Sequence, residues 1–120
     1  MTVASAGMIS PIGATEHGCH FLPVSGLPVG ALSPPEQNYQ DDTFLLDPFT
    51  TIIFTSDGIV EAQNEARELF GFERLEAAIN EVVASRDAEL IAEHLINTAL
   101  NFIGQAEQND DMTVVVVLKK

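Results

Sequence analysis

The chain has 120 residues, of which 46% are hydrophobic and 19% are charged. This is enough apolar material for the core of one domain, and it excludes a disordered chain. Eighteen acidic residues against five lysines and arginines give a net charge of −13. That charge argues against nucleic acid or an anionic membrane surface as a partner, and it favours cations.

Cysteine content and terminal composition predict a compartment. Cys19 is the only cysteine, so an internal disulfide is excluded. The first residues have neither the basic start nor the apolar run of a signal peptide, and no run of about 18 apolar residues predicts a membrane span. We therefore expect a soluble cytoplasmic protein.

The first third of the chain is rich in glycine and proline, which break it into short strands and turns. Residues 3–6, 10–14 and 19–24 are weak strand candidates, and the segment from Ser33 to Glu36 is predicted to be a loop. Residues 43–46 form a short apolar run that ends at the turn Asp47-Pro48. A β-branched and aromatic run over 50–55 predicts a buried strand.

Two helices and a strand follow. Apolar residues recur with helical spacing over 73–84. A second helix is predicted to begin after Ser85 or Asp87, both good N-caps, and to end near Gly104. The unbroken β-branched run within residues 112–118 predicts a central strand buried on both faces. The order of elements indicates an α+β fold.

Acidic residues lie where the two strongest strands meet loops. Asp57 follows the strand at 50–55, and Asp110 and Asp111 precede the strand at 112–118. If these strands pair in antiparallel fashion, the carboxylates converge at one edge. Such oxygen ligands suit Mg²⁺, Mn²⁺ or Ca²⁺. Ordinary turn chemistry is the alternative, because Asp-Gly is a frequent turn dipeptide.

Five segments, taken together and in order, resemble the motifs of the PPM/SpoIIE-type metal-dependent protein phosphatases. They are Ala4-Ser5-Ala6-Gly7, Gly26-Leu27-Pro28-Val29-Gly30, Phe54-Thr55-Ser56-Asp57-Gly58-Ile59-Val60-Glu61-Ala62-Gln63-Asn64, Leu69-Phe70-Gly71-Phe72-Glu73-Arg74-Leu75 and Gln108-Asn109-Asp110-Asp111-Met112-Thr113-Val114-Val115.

The resemblance implies part of an α-β-β-α sandwich, with an antiparallel sheet and two helices packed on one face. It implies a serine/threonine protein phosphatase in which a metal-activated water attacks the phosphoryl group. Asp57 and Asp110 would be the catalytic metal ligands, with Gly58 and Asp111 beside them and Mn²⁺ or Mg²⁺ as the cofactor. Bacterial relatives act on STAS-domain anti-anti-sigma proteins, which makes such a phosphoprotein the expected substrate.

The chain also departs from the family pattern. The first half of the family domain carries an Asp-Gly or Gly-Asp element that bridges two metals, and this chain has none before Ala4. Residues 1–120 are therefore predicted to be the C-terminal portion of one phosphatase domain, weakly active or inactive alone. An exposed sheet edge would then favour a homo-oligomer.

Other functions remain open on the sequence. The chain could be a catalytically empty protein-interaction module on the same fold, or an acidic cation-binding domain unrelated to phosphatases. His17, Cys19 and His20 could bind zinc, although surface histidines on a strand-turn segment are the favoured interpretation. The arginines at 67, 74 and 86 are expected to form surface ion pairs or to be solvated.

Overall fold

A computed structural model describes residues 1–31 and 39–120 of the chain. The elements in chain order are β1 (Thr2–Val3), β2 (Ile12–Thr15), β3 (Gly18–Phe21), β4 (Asp42–Thr43), β5 (Thr51–Thr55), α1 (Asp57–Val60), α2 (Gly71–Val82), a short 3₁₀ helix (Val83–Ser85), α3 (Ala88–Ile103) and β6 (Val114–Leu118). The loop predicted at Ser33–Glu36 lies outside the described residues.

The strands form two antiparallel sheets. The larger has the order β3-β2-β5-β6, and the smaller pairs β1 with β4. In the larger sheet Ile53 of β5 is opposite Ile12 of β2 on one side and Val116 of β6 on the other. The antiparallel pairing of β5 with β6 meets the condition under which the acids at the ends of these strands converge.

One face of the larger sheet carries the main core. Ile12, Ala14 and Ile53 pack there against α2 and α3, together with Leu75 and Ile91. Because side chains alternate between the faces of a strand, Val114, Val116 and Leu118 point to this same side. The two long helices on one face of an antiparallel sheet confirm the predicted α+β architecture.

The opposite face carries a smaller cluster. Leu22, Val24 and Ile52 are buried there, with Val3 and Phe44 packed against them from the β1–β4 side. This cluster does not extend over the whole face.

The prediction that β6 is a central strand buried on both faces is wrong. Among the described strands β6 lies at an edge, and its burial alternates. Val115 is 50% exposed and Val117 is 41% exposed, whereas Val116 between them faces the helices. The described residues cover only the helix side of β6, so its β-branched run reflects strand propensity and not burial on both faces.

The helix predictions hold with small shifts of the boundaries. The first predicted helix begins two residues earlier, at Gly71, and ends in the 3₁₀ turn. Asp87 is the N-cap of α3, since its Oδ1 accepts a hydrogen bond from the Leu90 N–H at 3.0 Å. Gly104 follows the last residue of α3. None of the helices in the described part of the chain is long and apolar enough to cross a membrane.

Candidate metal-binding site at the junction of β5 and β6

The candidate site begins where the paired ends of β5 and β6 meet, at Thr55 and Val114. One residue beyond the ladder, the Ser56 N–H donates to the Thr113 carbonyl at 3.0 Å. The Ser56 hydroxyl accepts from the Thr113 N–H at 2.9 Å and donates to the Asp111 carbonyl at 3.2 Å. Ser56 therefore ties the segment before β6 to the segment after β5.

Gly58 makes a close backbone approach at this junction. A Cβ atom at Gly58 would lie 2.1 Å from the Asp111 carbonyl oxygen and 3.0 Å from its carbonyl carbon. Its backbone has no positive φ, so the need for glycine is steric. Only a residue without a side chain lets α1 start directly against residues 110–111.

The predicted carboxylates occupy both sides of that contact. Asp57 is the first residue of α1 and is exposed. Asp110 and Asp111 are also exposed, and the Asp110 Oδ1 accepts a hydrogen bond from the Asp111 N–H at 2.7 Å. This bond fixes the Asp110 side chain next to the backbone that faces Gly58.

A cleft of about 250 Å³ opens beside the junction. It is lined by Gly58, Glu61, Gln63, Leu69, Asn109 and Asp110. One wall is a turn closed by a bridge between Gln63 and Leu69 and by the Asn64 side chain, whose Nδ2 donates to Glu68 at 2.7 Å. The cleft places Asp110 and Gly58 together, with Asp57 adjacent in the chain.

The donor chemistry fits a hard divalent cation, since carboxylate oxygens are the ligands that Mg²⁺ and Mn²⁺ prefer. The number of donors is small. Within residues 1–31 and 39–120, no three side chains of the His, Cys, Asp and Glu types are grouped so that they could hold a metal ion. These carboxylates alone would not complete a coordination sphere, and their role as metal ligands stays a prediction.

Ser56, Asn109 and Glu61 lie within the motif segments named above, but the sequence did not predict them as site residues. Ser56 carries a recognisable signal, because a hydroxyl residue between a buried strand and Asp-Gly can satisfy the backbone groups left free at the strand end. Asn109 and Glu61 carry none, since the cleft that they line depends on tertiary packing.

The zinc hypothesis at residues 17–20 fails on geometry. Cys19 packs against the core on the helix side of the sheet. His20 lies on the other face, where its ring would be 3.3 Å from a Cβ at Gly13, and His17 is exposed beside Glu16. Burial raises the pKa of the Cys19 thiol, and the negative charge of Glu76 raises it further, which disfavours the thiolate that a metal needs as a ligand.

Within residues 1–31 and 39–120, two arginines make contacts other than the expected surface ion pairs. Arg74 donates to the carbonyls of Leu69 and Phe70 at 2.8 and 3.2 Å and lies 4.6 Å over the Phe102 ring. Arg86 lies 4.2 Å over the Phe49 ring. Both guanidinium groups are used in stacking, which depends on tertiary contacts and is not visible in the sequence.

Comparison with known proteins agrees with this fold. A family model described as stage II sporulation protein E (SpoIIE) matches residues 1–119. No match was found among curated proteins.

Solved structures share the fold. The SiaA-PP2C domain of Pseudomonas aeruginosa superposes with a TM-score of 0.78 at 20% identity, over 99% of this chain and 46% of that one. The phosphatase domain of the cell fate determinant SpoIIE from Bacillus subtilis, presoaked in manganese, superposes with a TM-score of 0.69 at 18% identity, over 99% of this chain and 50% of that one. The RsbU and RsbW domains of a Mycobacterium tuberculosis protein superpose with a TM-score of 0.70 at 18% identity, over 98% of this chain and 32% of that one. The chain thus spans half or less of each of these structures.

Proposed function

The chain belongs to the SpoIIE family, and on that premise we propose that it contributes part of the active site of a metal-dependent protein phosphatase. The reaction proposed is hydrolysis of phosphoserine or phosphothreonine in a protein. The substrate class proposed is a STAS-type anti-anti-sigma regulator. The observation that carries the proposal is the contact of Gly58 with the Asp111 backbone, which brings the Asp57 and Asp110 segments to one junction.

Each residue at the junction has a defined task in this proposal. Asp57 and Asp110 supply carboxylate oxygens and negative charge for Mn²⁺ or Mg²⁺, with Asp111 as a neighbour. Gly58 permits the close approach of the two segments, and Ser56 holds them in register. When bound, the metal would make a water nucleophilic and neutralise the phosphoryl oxygens.

The small donor set leads to a second part of the proposal. Because no three suitable ligands cluster in the described ranges, the chain by itself should bind the metal weakly and turn over substrate slowly or not at all. The same observation favours an alternative function, a catalytically empty module that binds a protein partner through the same fold.

Calorimetric titration with Mn²⁺ separates the two functions. If the junction is a metal site, the chain should bind Mn²⁺ weakly, and both Asp57→Asn and Asp110→Asn should reduce the affinity by about tenfold. Glu89→Gln is the matched control, since it removes one exposed carboxylate from the first turn of α3. Equal binding by all four proteins would refute the site, and absence of specific binding by the unmodified chain would favour the empty module.

Turnover of p-nitrophenyl phosphate with Mn²⁺ tests the second part. The expected result is little activity above that of Mn²⁺ alone. Robust turnover that Asp57→Asn abolishes would show that the chain is sufficient for catalysis and would contradict the incomplete site.

The exposed valines of β6 suggest a further part of the proposal. Val115 and Val117 lie on the face of the sheet that the β1–β4 side covers only in part. We propose that the chain self-associates through this face and the adjoining edge of β6, because such apolar strand surface favours pairing.

A further inference from the structure

A second cleft lies at the other end of the same sheet. It has a volume of about 220 Å³ and is lined by Phe49, Arg86, Leu118, Lys119 and Lys120, which we call the basic end. Phe49 precedes β5 and Lys119 follows β6, whereas the candidate metal site lies after β5 and before β6. The length of β5, about 15 Å, therefore separates the two sites.

The charge of this cleft is opposite to that of the whole molecule. Three of the five lysines and arginines of the chain line it, on a protein with a net charge of −13. The ion pairs found in the described ranges join histidines to glutamates, so these three cations are not neutralised by an ion pair there. Screening at physiological salt limits each charge to about 8 Å, so a ligand seated in the cleft interacts mainly with the residues that line it.

The backbone at the basic end is held in an unusual conformation. Phe49 has φ 69° and Arg86 has φ 53°, a region that residues other than glycine rarely occupy. The two side chains stack at 4.2 Å, and the Phe49 N–H donates to the Lys119 carbonyl at 3.1 Å. Phe49 is nevertheless 56% exposed. Phe49 and Arg86 thus present an aromatic ring and a cation on a backbone held away from its preferred conformation.

We propose that the basic end binds a short acidic peptide segment of a partner protein, with one apolar side chain seated on Phe49 and Leu118. The peptide carboxylates would face Lys119, Lys120 and the outer side of Arg86. This binding is independent of the phosphatase proposal.

The surroundings of the cleft favour a short peptide over an extended polyanion. Glu16 and Asp47 line a neighbouring cleft of about 310 Å³ on the other side of Phe49 and Arg86. A nucleic acid or an anionic membrane would extend over these acids and over the rest of the acidic surface, where it is repelled. A short segment contacts the basic end alone, and its apolar residue takes up the apolar floor.

Fluorescence anisotropy with the full chain tests the inference. The probe is a labelled peptide in which glutamates flank one leucine, compared with an all-glutamate peptide and with a peptide in which lysines replace the glutamates. The glutamate–leucine peptide should bind most tightly, and its affinity should fall as salt is raised. The double change Lys119→Glu and Lys120→Glu should weaken binding by about tenfold or more, because it turns two attractions into repulsions.

Two single variants separate binding from folding. Arg86→Gly removes the cation and relieves the positive φ, so the chain should fold normally while its affinity for the peptide falls. Arg67→Gly is the matched control, because it makes the same substitution at another exposed arginine with a positive φ, in the turn before α2, and it should leave binding unchanged.

Three outcomes would overturn the inference. One is equal affinity of the unmodified and charge-reversed proteins for the glutamate–leucine peptide. Another is equal binding of the all-glutamate peptide, which would leave the apolar floor without a role. The third is binding of a short DNA duplex or of phosphatidylserine vesicles in place of the peptide.

Discussion

At Gly58, a single methyl group would meet the backbone of Asp111. A Cβ would lie 2.1 Å from a carbonyl oxygen that cannot rotate away, so Gly58→Ala must displace residues 110–111 or α1. We expect a loss of about 1–3 kcal/mol in the free energy of unfolding, together with loss of Mn²⁺ binding. Urea denaturation measures the first effect and calorimetry the second.

Gly13→Ala is the control for this substitution. A Cβ at Gly13 would meet the His20 ring at 3.3 Å, and a side chain at a sheet face can move by a few tenths of an ångström. The cost should stay below about 1.5 kcal/mol. Equal destabilisation by the two alanines would contradict a special role for the contact of Gly58 with Asp111.

Cys19 gives a prediction about reactivity. Burial raises the pKa of its thiol, and the negative charge of Glu76 adds a smaller increase in the same direction. Since the thiolate is the reactive form, labelling by a disulfide reagent should be slow at neutral pH and should accelerate only at a pH above the usual thiol range. The measurement is the pH dependence of the labelling rate.

Glu76→Gln should move that pH profile slightly towards lower pH, because it removes the smaller of the two causes. Glu89→Gln, far along the chain on α3, should leave it unchanged. A profile centred at or below that of free cysteine would show that the thiol is not desolvated in the folded chain.

At the scale of elements, substitutions on β6 test whether only one of its two faces is buried. Val116 is opposite the fully buried Ile53 and faces the helices, whereas Val115 is half exposed on the other side. Val116→Thr should cost about 1–2 kcal/mol, because it places a hydroxyl against the core. Val115→Thr should change the free energy of unfolding by less than about 0.5 kcal/mol. Similar costs at low protein concentration would mean that both faces of β6 are buried.

The elements that the sequence predicted correctly are those with local signals. The apolar spacing of α2, the Asp87 cap and the Gly104 stop all lie within a few residues of the helices that they define. The antiparallel pairing of β5 with β6, which is the condition for the acids at their ends to converge, is present in the structure.

The features that the sequence predicted wrongly or missed depend on which residues become neighbours in the folded structure. The β-branched run of β6 says nothing about which residues cover each face, so its central position was predicted wrongly. The four-residue α1 is too short to show a helical period. The stacking of Arg74 on Phe102 and of Arg86 on Phe49 joins residues that are far apart in the chain. Of the candidate site, the sequence indicated Asp57, Gly58, Asp110 and Asp111, but not the Ser56 bonds that align their segments.

At the scale of the whole molecule, self-association opposes the net charge. Pairing through Val115 and Val117 buries apolar surface, while two chains of charge −13 repel each other. Light scattering should therefore show a dimer fraction that rises with protein concentration and with salt, since salt screens the repulsion. The double substitution Val115→Thr and Val117→Thr should lower the dimer fraction. A monomer at every concentration and salt level would contradict the proposal.

The hydrogen bonds of Ser56 also bear on the order in which the molecule is made. They join Ser56 to Asp111 and to Thr113, at sequence separations of 55 and 57, and both long helices lie between the partners in the chain. At a synthesis rate of about 5–20 residues per second, β5 is synthesised several seconds before β6. Closing so long a loop carries an entropic penalty that local helices do not. The candidate site can therefore form only after the helices have been synthesised, and a nascent chain lacking β6 would carry Asp57 with nothing to complete it.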